Sequence, residues 1–147
     1  MAHIDLNSPD GARQIEDIMN RRCADLVKMA GIEFFRQVII STPVDTGRAR
    51  MGWSISVNAP SDYLPAPAPD NWKGRSNGGS EYYPVPDIAK NSKLGVITVN
   101  DKVFITNNVP YMEKLNTGYS RQAAARFVER AAARVQAAVS KLWKKIK

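Results

Sequence analysis

The chain is predicted to be an α+β domain, with a small antiparallel sheet of three to four strands packed against a long N-terminal and a long C-terminal helix. Three observations predict it. Apolar residues recur at three- and four-residue steps near both ends. They alternate with polar residues in two central stretches, and a long aperiodic segment separates those stretches. With 147 residues the chain is long enough for one domain with a substantial core and short for two.

Ser8-Pro9-Asp10 opens the first helix, Ser8 as cap and Pro9 in the first turn. Ile15, Met19, Cys23, Leu26, Val27, Ala30, Phe34 and Val38 then fall on one broad face of a helix running from about Asp10 to Ser41. Gly31 is a place where it can bend, and Pro43 ends it. Arg50 to Val57 alternates, with Met51, Trp53, Ile55 and Val57 on one side of a strand.

From Ala59 to Pro86 the pattern fails, with six prolines and the Gly78-Gly79 pair. A connection this long is usually either disordered or functional. Trp72, Tyr82 and Tyr83 favour a loop that gains order against a neighbouring molecule over a merely flexible insertion. Asp87 to Lys93 reads as one helical turn. Val96–Val99 and Val103–Thr106, joined by Asn100-Asp-Lys102, read as a hairpin. A short helix follows over Tyr111–Leu115 and stops at Gly118. Ser120 is expected to cap the last helix, roughly Arg121 to Lys145. The aperiodic loop, the first nine residues as an arm, and the 121–147 helix all belong to a single domain spanning 1–147.

Composition narrows the function. No basic-then-apolar leader opens the chain, and the apolar runs are far below the roughly 20 residues a membrane helix needs, so a soluble protein is expected. The single cysteine, Cys23, excludes an internal disulfide and reads as an inert core thiol. With His3 the only histidine, the usual zinc sites are not available. No cofactor or metal is expected.

The net charge of +7 is localised. Residues 1–120 hold 13 Lys/Arg against 13 Asp/Glu, while 121–147 holds eight Lys/Arg against Glu129 alone. On a helix of 100° per residue, Arg126, Arg130, Arg134, Lys141, Lys144 and Lys145 lie within about 100° of one another. Phe127, Ala131, Val135, Ala138, Val139, Leu142 and Ile146 gather away from them. The stripe is either an ordinary solvated face or a surface for an anionic partner, DNA or an acidic protein. Aromatic interleaving for stacking is lacking, so any DNA contact would be nonspecific and salt-sensitive.

Two turns carry the most information. In Thr42-Pro-Val-Asp-Thr-Gly-Arg48, Pro43 stops the helix, Asp45 and Thr46 can bond nearby amides, and Gly47 supplies a positive φ, with Arg48 next to the strand. Further on come Asn107, Asn108, Pro110, Tyr111 and Glu113, then Gly118 and Ser120. Together, in this order, they resemble the signatures of bacteriophage neck and tail-completion (head–tail connector) proteins of the minor-tail-protein-Z type, over about residues 10–60 and 85–145.

The resemblance implies a structural virion protein, assembled in the host bacterial cytoplasm and residing in the tail or neck. Its copies would form a hexameric or dodecameric ring by head-to-tail contacts. Its partners would be the connector and the tail-terminator or tail-tube proteins, with possible nonspecific contact to packaged DNA and no membrane. The 59–86 loop and the N-terminal arm would reach neighbouring subunits.

Catalysis is the weaker reading. Asp45 and Glu113 could be imagined as a phosphodiesterase pair, but no carboxylates recur at metal-ligand spacing. The main rival is a nonspecific DNA-binding protein that uses the basic helix.

Overall fold

The computed structural model describes residues 7–118 and 125–146. Among them the elements run α1 (Pro9–Ser41), α2 (Arg48–Met51), β1 (Trp53–Val57), a 3-10 turn at Arg75–Asn77, α3 (Ile88–Asn91), β2 (Val103–Asn107), α4 (Met112–Asn116) and α5 (Phe127–Ile146). The fold is mixed helix and sheet, with long helices at both ends, as expected.

Helix α1 begins where the sequence places it. The Ser8 hydroxyl accepts from the Gly11 N–H at 3.0 Å, and Pro9 occupies the first turn, where its missing N–H costs nothing. At the other end Thr42 turns extended, its N–H still donating to the Val38 carbonyl at 3.0 Å. The Trp53 indole N–H donates to Thr42 Oγ1 at 2.7 Å, and both residues are buried. The end of α1 is thereby tied to the start of β1.

Strands β1 and β2 pair antiparallel, with Trp53 opposite Asn107 and Val57 opposite Val103. One sheet face lies on α1. The backbone at Gly31 comes so near that a Cβ there would sit 2.9 Å from Val103 Cγ1, so this glycine admits the sheet within an unbroken helix. The other face carries Ser54 and Thr106, whose hydroxyls meet at 3.0 Å. The core sits under the C-terminal half of α1. Phe35, Val38 and Ile39 are sealed there with Ala49, Trp53, Met112, Phe127 and Ala131. Burial of each large side chain contributes about 1.5–3 kcal/mol. Helix α5 runs back along α1 in the opposite direction, from Phe127 beside that core to Leu142 near Leu26 and Met29.

Three expectations are corrected. Among the described residues the sheet has two strands, and the hairpin between Val96–Val99 and Val103–Thr106 does not form. The Asp101 carboxylate takes the Thr98 N–H (2.7 Å) and hydroxyl (3.1 Å), winding the segment into a local turn, and Val96 is 93% exposed. Strand β2 pairs with β1 instead, and Asn58 closes that junction through the Lys102 N–H at 3.0 Å. Second, β1 begins at Trp53 and not Arg50, because Arg48–Met51 closes a helical turn, Met51 N–H donating to the Gly47 carbonyl at 2.9 Å. Third, α5 begins at Phe127. Ala125 and Arg126 form a turn, with Arg126 at φ 59°, so Arg126 stands at the foot of the basic stripe and not within its helix. The cap expected at Ser120 and the first residues of that helix, 121–124, lie outside the described residues, as does His3.

Candidate functional site

The 42–48 turn is built to receive the long loop. Pro43 and Val44 are buried, while Asp45 faces outward. Its carboxylate accepts from the Ser76 N–H at 2.8 Å and the Ser76 hydroxyl at 2.7 Å, holding the 3-10 turn. Gly74 passes so close that a Cβ there would overlap that carboxylate. The Thr46 carbonyl accepts from both Tyr82 (2.7 Å) and Tyr83 (3.0 Å) N–H groups. Gly47 adopts φ 92°, a region costly for residues with a Cβ, and lies against the Tyr83 backbone. Arg48 Nε donates to the Pro65 carbonyl at 3.0 Å. Arg50 completes the grip through Glu81 at 2.6 Å, and the same carboxylate also pairs with Arg75.

The second signature holds the loop from the opposite side. The Asn108 amide donates to the Ser61 (2.9 Å) and Tyr63 (3.0 Å) carbonyls. Asn107 works inward, its amide donating to the Ala49 carbonyl at 2.7 Å while its Oδ1 accepts from the Val109 N–H at 3.1 Å. Pro110 and Tyr111 then turn the chain into α4, and Gly118 at φ 104° lies just beyond its end. Burial pushes the phenols of Tyr83 and Tyr111 above their usual range, and nearby Arg48 opposes the shift in both. The two signatures, far apart in sequence, therefore meet as one clamp around residues 61–83. Glu113 stays at the surface outside it and makes no ion pair among the described residues.

Beyond the clamp the loop presents aromatic rings. Trp72 packs edge-on against Tyr82 (5.1 Å) and Tyr82 against Tyr83 (5.0 Å), with Trp72 Nε1 donating to the Ser80 carbonyl at 3.0 Å. Trp72 and Tyr82 remain more than two-fifths exposed.

On α5, Arg130, Arg134, Lys141, Lys144 and Lys145 are all exposed, whereas Phe127, Ala131 and Val135 are buried on α1. The only ion pair on this helix among the described residues is a loose one at its foot, Arg126 to Glu129 at 3.7 Å. The helix start is organised by Asn116, which the sequence reading missed. Its Oδ1 accepts from the Val128 N–H at 3.0 Å, and its amide donates to Glu129, holding that carboxyl below its usual range. An asparagine ahead of a helix was the available signal, obscured by the intervening residues.

Chemically, the arrangement binds backbone. Asp45 is occupied by Ser76, Glu81 by two guanidiniums, and among the described residues no three of His, Cys, Asp and Glu gather at metal-binding range. Cys23 is half-buried on α1. No described helix is long and apolar enough to cross a membrane. Comparison with family models, with curated proteins and with solved structures finds no match to this chain.

Proposed function

We propose that the protein is a structural, non-catalytic component of a tailed bacteriophage virion, forming a ring in the neck that completes the tail and joins it to the head connector. One observation supports this most: Asp45 and Arg48 of the first signature turn, Arg50 just after it and Asn108 of the second all hold the long 59–86 loop. A protein that spends Asp45, Arg48, Arg50 and Asn108 in this way is making a rigid surface for other molecules. The exposed Trp72 and Tyr82 suit an inter-subunit contact, since aromatic residues anchor interfaces. The basic stripe of α5 faces an acidic neighbour or the DNA channel. Six or twelve copies are proposed, contacting the connector and the tail-terminator or tail-tube proteins. The sheet of three to four strands is proposed for this assembled state.

Light scattering of the purified chain, alone and with its connector, tests the reading. A closed ring in either sample is the expected result. A chain that stays monomeric beside every neck component overturns it.

The exposed charges of α5 favour one alternative, a nonspecific DNA-binding protein. That reading requires affinity of the free subunit for arbitrary duplex DNA, falling steeply as salt rises.

A further inference from the structure

Helix α1 carries both β2 and α5, and between these two elements a cleft of about 430 Å³ remains open. Its floor is Val27, Gly31 and Phe34 of α1; one wall is Val103 and Ile105 of β2, and the other is the Ala132 and Val139 shoulder of α5. That shoulder carries none of the helix's charges, so the cleft is apolar while the basic stripe faces elsewhere.

The β2 wall is also a sheet edge. The Asn58 N–H donates to the Lys102 carbonyl at 2.7 Å, which sets the alternation of bonded and non-bonded pairs along the ladder. Ser56–Phe104 and Ser54–Thr106 are therefore the bonded pairs. The N–H and C=O groups of Val103 and Ile105 point away from β1, towards the cleft, and no described residue bonds them. A cleft with a free strand edge on one side and an apolar helix on the other fits one further strand.

Two segments of the chain have the composition for it. Val96–Val99 is spent locally: the Thr98 N–H and carbonyl are both bonded to Asp101, and the Gly95 carbonyl accepts from Lys28. Residues 1–6 have the required alternation, Ala2, Ile4 and Leu6 on one side against His3 and Asp5 on the other. They cannot fill the cleft of their own subunit. Residues 4–8 extend at most about 18 Å, whereas Pro9 and Val27 are separated by about 27 Å of helix.

We infer that the segment Ala2–Leu6 of one copy adds as a strand to the β2 edge of the next copy, placing Ile4 and Leu6 on the α1 floor. This rests on the ring reading above and names the contact that propagates it head to tail. The partner is a second copy of this chain, and each copy both gives an arm and receives one.

A fluorescent peptide of residues 1–8 tests the contact directly. In the full chain, Ile4→Asp with Leu6→Asp disables the arm and leaves the cleft intact. Ala132→Glu, at an exposed position on the cleft wall, places a charge where the strand would lie, and circular dichroism checks that the helices persist. The peptide is expected to bind the arm-disabled protein saturably, and at least tenfold more weakly once Ala132→Glu is added. Absence of saturable binding, or equal binding to both proteins, overturns the inference. Rings that still close when both arm substitutions are present would discard the arm and leave the ring reading standing. Peptide binding by a chain that never forms rings would keep the contact and discard the neck assignment.

Discussion

Arg50 shows how a single side chain acquires its role from its surroundings. In sequence it stands beside a strand; in the fold its side chain is only 12% exposed and meets Glu81, whose side chain is 22% exposed, at 2.6 Å. Arg75 shares the same carboxylate from a position 55% exposed. The two halves of the bridge differ in value, because water screens the outer one. Glu81→Ala is expected to cost about 2 kcal/mol in urea unfolding, leaving Arg50 without its charged partner. Arg75→Ala should cost under about 1 kcal/mol. Equal losses would mean that burial does not separate them. Asp101 allows a pH prediction. Hydrogen bonds from Asn58 and Thr98 lower its folded pKa below 3.8, so its stabilising effect is present above that value and is lost as the pH falls through the lower folded one. Urea midpoints measured from neutral pH down to about pH 2 should fall in the parent chain and fall less in Asp101→Asn. An unchanged acid slope would dismiss the coupling.

At the scale of elements, α5 separates two tasks by face. Its apolar side seals the core through Phe127, Ala131 and Val135, and the charges lie outside that contact. Reversing Lys141, Lys144 and Lys145 to Glu should therefore leave the thermal midpoint within a few degrees. The same change should abolish binding to an anionic partner, read as connector association or DNA retention at low salt. Loss of folding with the triple change would show that the stripe is structural. The clamp is also an element-scale device. Gly47→Ala introduces a Cβ at φ 92° against the Tyr83 backbone and is expected to cost about 1–2 kcal/mol. It should also speed proteolysis between residues 59 and 86, because the Thr46 carbonyl next to it holds Tyr82 and Tyr83 and the new Cβ would press on the Tyr83 backbone. Destabilisation without faster cleavage would count against the clamp.

For the whole molecule, the body is asymmetric along α1. Around Phe35, Val38 and Ile39 that helix is enclosed by β1, β2 and α5, while Ile18 and Met19 towards its start and Val27 and Met29 near its middle stay exposed. Phe35 lies fully buried where all of these elements meet, so Phe35→Ala should cost about 3–5 kcal/mol and lower sheet and helix signals together. Separate transitions for the two would mean the layers are independent. Exposed apolar side chains on α1 beside an open strand edge fit the proposed assembly, in which a neighbour would cover them.

Periodicity and the Ser8 cap were legible along the chain because they are local. The α1 boundaries, the Gly118 stop and the stripes of α5 follow from residue spacing and need no distant partner. Long-range choices were not legible. Valine-rich Val96–Val99 has strand composition, yet the short-range bonds of Asp101 take its backbone and β2 finds β1 instead. Arg50 and Met51 alternate with the strand, yet the left-handed Gly47 sends them into a helical turn. Only the folded chain brought Asp45 and Asn108 to the same loop, since nothing in their separation along the sequence predicts a shared partner. Local backbone preferences are written in neighbouring residues, whereas pairing and docking depend on which surfaces meet after collapse.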